Sequence, residues 1–587
     1  MIPGSAGHGL RQRTGSPPGT APAPGGRLRS RPAAAWRWPA WRFPAWRPAA
    51  WWPALAGLLI GLLALGPALG RGFVLSYDMV FVPTPPFSSA LLGLSGGPAR
   101  PVPSDAVVAV AARLIPADIL QKLILLAIFV LACSGAAALL SDCWQARRGT
   151  RPPLLASLAA GVFYSWNPYL AERLVMGQWA LLLGYAGLPW ALRVLCTGPV
   201  RIGPARLALA LLPAAIGGFV GMVITGLAAV PAALARGDGF SERARRLVVV
   251  AVACLLLSLP WIIPSLIEPV RADPAGASLF AARADTPFGS LGSLALLSGI
   301  WNAQAVPVGY GGLGSVCWLL VVAAAGAGYL LIARSMRLCP GLGVAGLIGL
   351  AVAAIGVTAP GRAALADLIS AWAGFAVLRD GQQYVAALAL AEAIGLGAAV
   401  AWALRDVRIA AAPVLGVLAA LAPVLLLPGM AWGSTGRLHA VRYPADWMTA
   451  RQLIDSDPQP GTVLLLPWAQ YRRYPWNGGE AVFDPWSRLL ARDVIYNDAL
   501  TVVSQNGGDQ TVGQESAASI RLNRVVGRPG PLTGKLRAAG VRYVLIDAGP
   551  LLGQPRADLA ATARLPGARL VLDSADLVVF LLPEGRS

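Results

Sequence analysis

The chain has 587 residues, 56% hydrophobic and 13% charged, and its 48 Lys+Arg against 28 Asp+Glu give a formal net charge of +20. A soluble fold of this length has too little interior for so much apolar side chain, whereas a bilayer accepts it directly, so the composition points to an α-helical polytopic membrane protein. The charge is not a nucleic-acid signal, because arginine is the default cation throughout (only Lys122 and Lys535 are lysines) and no recognised binding module accompanies it.

Residues 1–50 hold Pro, Gly, Ser and Arg without apolar periodicity and end in the near-repeat A-W-R-W-P-A-W-R-F-P-A-W-R-P. They read as a disordered basic cytoplasmic tail with a Trp/Arg interfacial anchor, in which indoles sit at headgroup depth and guanidinium groups reach lipid phosphates. A first span is expected over about 51–70, which places the long loop 71–118 outside. Further spans are expected at about 119–140, 154–171 and 177–195. The apolar stretch 204–235 has arginines at both ends, so it is expected to fold back as two short helices with Gly217 and Gly218 near the bend. Spans at about 247–266, 313–332, 341–358, 384–403 and 409–431 complete a count of about eleven and put every basic loop on one side. The six cysteines lie in or beside these spans with no CxxC pair, so neither a disulfide framework nor a thiolate metal site is supported.

The membrane domain is thus expected over 51–432, followed over 433–587 by an extracytoplasmic α/β domain. There P-A-D-W-M-T-A-R-Q-L-I reads as a helix and T-V-L-L-L-P-W as a strand. L-T-G-K-L-R-A-A-G reads as a helix ended by Gly540, V-R-Y-V-L-I-D as a strand, and R-L-V-L-D-S-A-D-L-V-V-F-L-L-P as two strands around a turn. Between residues 468 and 488, Trp468, Tyr471, Arg472, Arg473, Tyr474, Trp476, Phe483, Trp486 and Arg488 suit either stacking on sugar rings or, the favoured expectation, packing onto the membrane surface.

The first loop carries the leading candidate for chemistry. Asp78 lies just beyond a span among Tyr77, Met79, Val80, Phe81 and Val82, a semi-apolar setting that raises a carboxyl toward the working range of a general base. Asp105, in S-D-A-V-V, is more readily a helix cap than a catalytic acid, and Asp118 a helix-start residue. Tyr169, Glu172, Arg173 and Gln178 gather between two spans, where Arg173 can pair with a phosphate and Glu172 with a sugar hydroxyl or a metal, or both can simply anchor the loop. F-A-V-L-R-D-G-Q-Q-Y adds Arg379, Asp380, Gln382, Gln383 and Tyr384. Glu392 falls about two turns into a span, where an acid is functional or paired by default, with Arg173 or Arg379 as its candidate partner.

An N-inside chain with a carboxylate just after span one in a long external loop, about eleven spans and an outer carboxy-terminal domain resembles the GT-C superfamily of polyprenyl-phosphate-sugar glycosyltransferases. N-P-Y-L-A-E-R-L-V-M-G-Q-W and L-R-D-G-Q-Q-Y resemble segments of large actinobacterial membrane proteins, arabinofuranosyltransferase-like ones among them. Where GT-C enzymes often carry paired acids in the first loop, this chain has Asp78 alone, with Asp105 27 residues on. The resemblance implies transfer of a sugar from a polyprenyl-phosphate donor to a cell-envelope glycan or glycolipid acceptor. Asp78 would be the base, Tyr77, Asp105, Glu172, Arg173, Gln178, Arg379, Asp380, Gln383 and Glu392 would form the substrate site, and an outer arginine would stabilise the leaving phosphate. The cofactor stays open; no metal ligands are assigned, although hard oxygen donors suit a divalent ion. The alternative is a non-catalytic transporter or scaffold for envelope lipids or glycans, with Glu392 and the arginines on its path and Asp78 dispensable.

Overall fold

The structure is a computed structural model describing residues 51–97, 99–197, 204–235, 239–268, 270–333, 338–405, 412–503, 509–547 and 564–584. The expected amino-terminal tail and Trp/Arg anchor lie outside these residues, as do Arg201, Arg236, Arg334 and Arg337.

Among the described residues five helices are long and apolar enough to cross a bilayer: Trp52–Leu69, Ala117–Ala146, Phe240–Ile267, Leu313–Ala333 and Gly381–Ala403. Two bent pairs raise the number to seven if each is one span, Cys339–Ile355 turning by 90° into Ala359–Ala371 and Pro413–Leu426 by 60° into Pro428–Thr435. The chain is a multi-pass membrane protein, and five to seven spans of full length are found among the described residues, against about eleven expected from the sequence.

Three of the remaining expected passes are apolar helices below full span length, Trp179–Leu195, Ala205–Ile216 and Gly218–Leu234, and a cap breaks a fourth. The span expected over 154–171 is a helix only from Leu154 to Ser165, because Asn167 turns extended and its side chain accepts the Leu170 N–H, starting a new helix, Pro168–Val175, with proline in its first turn. Thr358 does the same for Gly361 and begins Ala359–Ala371, where a loop was expected around Asp367. Residues 204–235 do fold back, as Pro204–Ile216 and Gly218–Leu234 meeting at Gly217 and Gly218. The helices Leu313–Ala333 and Ala386–Ala403 touch backbone to backbone: a Cβ on Gly328 would lie 2.2 Å from the Gly395 carbonyl oxygen, and one on Gly395 2.1 Å from that of Ala325. Such close approach gives membrane helices the dispersion contacts that hold them together where lipid offers no hydrophobic drive.

The carboxy-terminal region holds a five-stranded mixed sheet in the spatial order 569–573, 577–581, 541–547, 462–466 and 494–495. Thr462–Leu466 runs parallel to both Val494–Ile495 and Val541–Asp547, and Leu577–Leu581 runs antiparallel to Val541–Asp547 and to Arg569–Asp573. The helices Ala445–Asp455 and Thr533–Ala538 fall where the sequence placed them, the second followed by Gly540 at φ +80. The sheet region is stitched to the first loop: Phe73–Val74 pairs antiparallel with Ala440–Val441, and Tyr77 bridges to Val482.

Within the aromatic run of 468–488, Arg472, Tyr474 and Trp486 are buried, Arg473 is exposed and the other named residues are half-buried. Trp486 stacks on Trp447 with ring centroids 4.5 Å apart, Tyr474 stacks on Trp476 at 5.0 Å, and Trp486 and Tyr474 are buried. Arg472 is buried with them and ion-pairs with Asp484 and, at 2.8 Å, with Asp547. Tyr471 departs from the pattern and reaches Asp78.

Candidate active site

Asp78 is carried on a tight turn. The N–H groups of Ser76 and Met79 each donate to the other residue's carbonyl, at 3.3 and 2.8 Å, and Tyr77 between them adopts a left-handed φ of 43°. Such strain persists only where the surroundings over-determine it. Here they do: the Tyr77 N–H donates to the Ala481 carbonyl at 2.7 Å, the Phe483 N–H to the Tyr77 carbonyl at 2.8 Å, the Asp78 N–H to the Met176 carbonyl at 3.1 Å, and the Ser76 hydroxyl to the Val175 carbonyl at 2.7 Å. The Tyr77 hydroxyl donates to Gln304 at 2.6 Å. The turn is therefore wedged between the 168–178 segment and the carboxy-terminal region.

The Tyr471 hydroxyl donates to Asp78 Oδ1 at 2.6 Å. Burial pushes the Asp78 carboxyl above its ordinary value; the Tyr471 hydrogen bond and the charges of Arg488 and Arg100 pull it down without cancelling that push, and Asp380 adds to it. Asp78 is thus within electrostatic reach of two guanidinium groups and a second acid.

Around it, arginines are held by acids drawn from distant parts of the chain. Arg173, 1% exposed, donates to Asp380 at 3.0 and 3.4 Å and to Gln178 at 2.9 Å. Arg488 donates to Asp105 at 2.6 Å. Arg100 donates to both carboxyl oxygens of Glu515, at 2.7 and 2.5 Å, and Arg379 to one of them at 3.0 Å. Three of these guanidinium groups retain a buried N–H group with no acceptor among the described residues, at Arg173 Nε, Arg379 Nη1 and Arg488 Nη1. A buried donor left unmade is expensive, so such donors call for an acceptor that the protein does not itself supply. Beside the Asp105–Arg488 pair lies a small, open depression lined by Val80, Phe81, Val82, Leu91, Val108 and Trp179.

No family model matches the chain, and no curated protein does. Among solved structures, the cryo-EM structure of a mutant of the arabinofuranosyltransferase AftD from mycobacteria matches over 91% of this chain with a TM-score of 0.55 at 16% identity. The two share a fold. The match spans 41% of the AftD chain, so this protein corresponds to well under half of that one. The likeness to GT-C glycosyltransferases read from the layout of loop and spans is borne out at the level of the fold.

Of the residues expected at the site, the structure brings Asp78, Arg173, Gln178 and Asp380 into one region, with Arg379 joined to it through Glu515 and Arg100. Tyr77 supports the turn. Asp105 sits in the first turn of the helix Ser104–Ala111 without capping it and serves instead as the counter-ion of Arg488. Asp118 lies in the first turn of the helix Ala117–Arg148, as expected. Gln383 is structural: its carbonyl accepts the Tyr169 hydroxyl at 2.8 Å and its amide donates to the Val377 carbonyl at 3.2 Å. The Gln382 amide donates to the Phe280 carbonyl, and the Tyr384 hydroxyl to that of Val377.

Glu172 turns away from the arginines into a second acidic pair. The Ser298 hydroxyl lies 2.5 Å from Glu172 Oε1 and 3.2 Å from Asp285 Oδ2, and both acids are buried. One hydroxyl proton cannot serve two carboxylates. Burial, reinforced by the charge of Asp285, pushes Glu172 well above the ordinary carboxylate range. Arg283 stands 3.8 Å from Asp285 and favours its charged form, so Glu172 is the more readily protonated of the two. Glu392 is buried, and its Oε2 has no partner among the described residues. Neither arginine expected as its partner fills that role, because Arg173 is taken by Asp380 and Arg379 by Glu515.

Sequence reasoning missed Glu515 and Arg100 and gave Tyr471 and Arg488 another role. Glu515 lies among T-V-G-Q-E-S-A-A-S with no apolar pattern around it, and Arg100 is one arginine in a chain full of them. A divalent metal does not fit the site as folded: among the described residues no three His, Cys, Asp or Glu side chains converge, and Asp105, Asp380 and Glu515 are already engaged by guanidinium groups.

Proposed function

We propose that this protein is a membrane glycosyltransferase moving a sugar from a polyprenyl-phosphate donor to a cell-envelope glycan or glycolipid acceptor at the outer face of the plasma membrane. In this proposal the amino terminus is cytoplasmic, the carboxy-terminal region is an extracytoplasmic domain over about 433–587, and shorter helices add to the long and bent spans to give about eleven passes. The carrying observation is Asp78 on its over-determined turn, raised by burial and within reach of the charges of Arg100 and Arg488, the second of which keeps a buried donor without an acceptor among the described residues.

The chemistry follows from those groups. Asp78 accepts the proton of the acceptor hydroxyl, whose oxygen forms the new bond to the anomeric carbon. The bond from that carbon to the lipid phosphate oxygen breaks, its electron pair leaves with the phosphate, and the arginines stabilise the charge that develops there. Tyr471 occupies Oδ1, so the proton goes to Oδ2, from which solvent removes it. The sugar class is suggested by the mycobacterial arabinofuranosyltransferase that shares the fold.

The test is Asp78→Asn in purified protein supplied with polyprenyl-phosphate-linked arabinofuranose and an oligosaccharide acceptor. The expected result is a loss of about 10²–10⁴-fold in kcat with the unfolding temperature retained. Wild-type turnover in the variant would remove Asp78 as the base. Glu392, buried in a span with an unpartnered oxygen, favours a second reading, a translocation path for an envelope lipid. Abolished lipid movement in Glu392→Gln, together with unaffected glycans in Asp78→Asn, would establish that reading instead.

A further inference from the structure

Glu515 unites parts of the molecule that no local sequence signal connects. Its carboxylate, 6% exposed, accepts from Arg100 of the first loop and from Arg379, which lies just before the Gly381–Ala403 span. Its own place is fixed through the backbone: the Glu515 and Ser516 N–H groups donate to Asp498, the Gly513 N–H donates to Asp273 at 2.7 Å, and the Arg271 N–H donates to the Glu515 carbonyl. Although burial alone would push Glu515 up, the two arginines outweigh it and hold the carboxyl below its ordinary range, so it is an anion in place.

The arginines differ in what they have left to offer. Arg379 is nearly buried, its guanidinium lies over the Phe280 ring at 4.7 Å, and its Nη1 has no acceptor in the protein. Arg100 is 52% exposed and acts electrostatically on Asp78. Without the carboxylate between them, the exposed Arg100 would swing away from the like charge of the nearly buried Arg379. With it, they stay adjacent, Arg379 offering a buried unmet donor and Arg100 an open face within electrostatic reach of the proposed base. A second anion with several acceptor oxygens completes that arrangement.

We infer that Glu515 is a positioning residue that clamps Arg100 and Arg379 into a binding site for the phosphate of a lipid phosphate. Resting on the transferase proposal, it adds how the phosphate site is assembled and which residue, itself too negative to touch the ligand, assembles it. Because Glu515 acts through the arginines, its loss weakens phosphate binding selectively and leaves recognition of the lipid tail unchanged.

The probe is decaprenyl monophosphate, which carries no sugar, titrated against the full-length chain in detergent with decaprenol as the control. Glu515→Gln is expected to bind the phosphate about tenfold more weakly and decaprenol equally well, and Glu515→Asp to recover part of the loss. In a double-mutant cycle with Arg379→Gln, the two losses are expected to be non-additive, the double variant behaving like the weaker single one. Binding within twofold of wild type, or fully additive losses, would overturn the inference. Should Glu515→Gln fail to fold, Arg100→Gln decides instead: a selective loss of phosphate affinity supports the clamp and unchanged affinity removes it. Binding of a sugar-free probe is scored apart from turnover, so absence of transfer by the wild type counts against the Asp78 assignment, whereas equal affinities count against Glu515.

Discussion

Gly177→Ala should disable the site without touching a charged group. Gly177 has φ +72, and a Cβ there would lie 2.2 Å from Met79 N and 2.2 Å from Ser76 O, the backbone of the turn that presents Asp78. Real Cβ contacts essentially never fall below 3.0 Å, so the turn must retreat by at least 0.8 Å. It cannot retreat freely, because Met176 and Val175 hold it by hydrogen bonds on the same side and Ala481 and Phe483 on the other. A left-handed alanine costs about 1–2 kcal/mol and overpacking about 1–3, so a loss of about 2–5 kcal/mol in stability is expected unless the turn moves. If it moves, a displacement near 1 Å at a catalytic group costs about 10²-fold in rate. The assay pairs thermal unfolding in detergent with single-turnover transfer, using Gly226→Ala as control, since a Cβ at Gly226 meets nothing within 4 Å. Wild-type values for both stability and rate in Gly177→Ala would refute the claim that this glycine seats the Asp78 turn.

Two further outcomes are expected. Tyr471→Phe removes the hydrogen bond that lowers Asp78, so the acid limb of the kcat/KM profile, where the base becomes protonated, should move to higher pH; a limb that stays in place would mean another group titrates. Glu172 is raised above its ordinary 4.5, so its contribution to stability is full below that value and is lost as pH rises through the folded-state value. Glu172→Gln lacks this dependence and should gain unfolding temperature relative to wild type as pH rises above 4.5, and parallel curves would show that Glu172 is not raised.

The elements that the sequence disclosed are those whose signal is local. Apolar runs marked the long spans, the arginine-flanked stretch 204–235 announced its fold-back at Gly217 and Gly218, and alternating and capped segments beyond 433 located the sheet strands and the helices Ala445–Asp455 and Thr533–Ala538. Asp78 stood out because a lone carboxylate in an apolar setting beside a span is visible in the residues next to it. The broken helices were harder, because hydropathy averages over about 19 residues and does not register a single cap such as Asn167 or Thr358.

Which acid meets which base was decided only in three dimensions. Arg488 finds Asp105 across 383 positions and Tyr471 finds Asp78 across 393. Arg379 and Arg100 find Glu515, a residue with no local mark of importance. Glu392 was placed by sequence at a costly depth, and folding withheld the partner expected for it. Hydrophobic periodicity records how each segment meets its solvent and is written residue by residue, whereas ion pairing depends on distance and desolvation between segments, which exist only once the chain has packed.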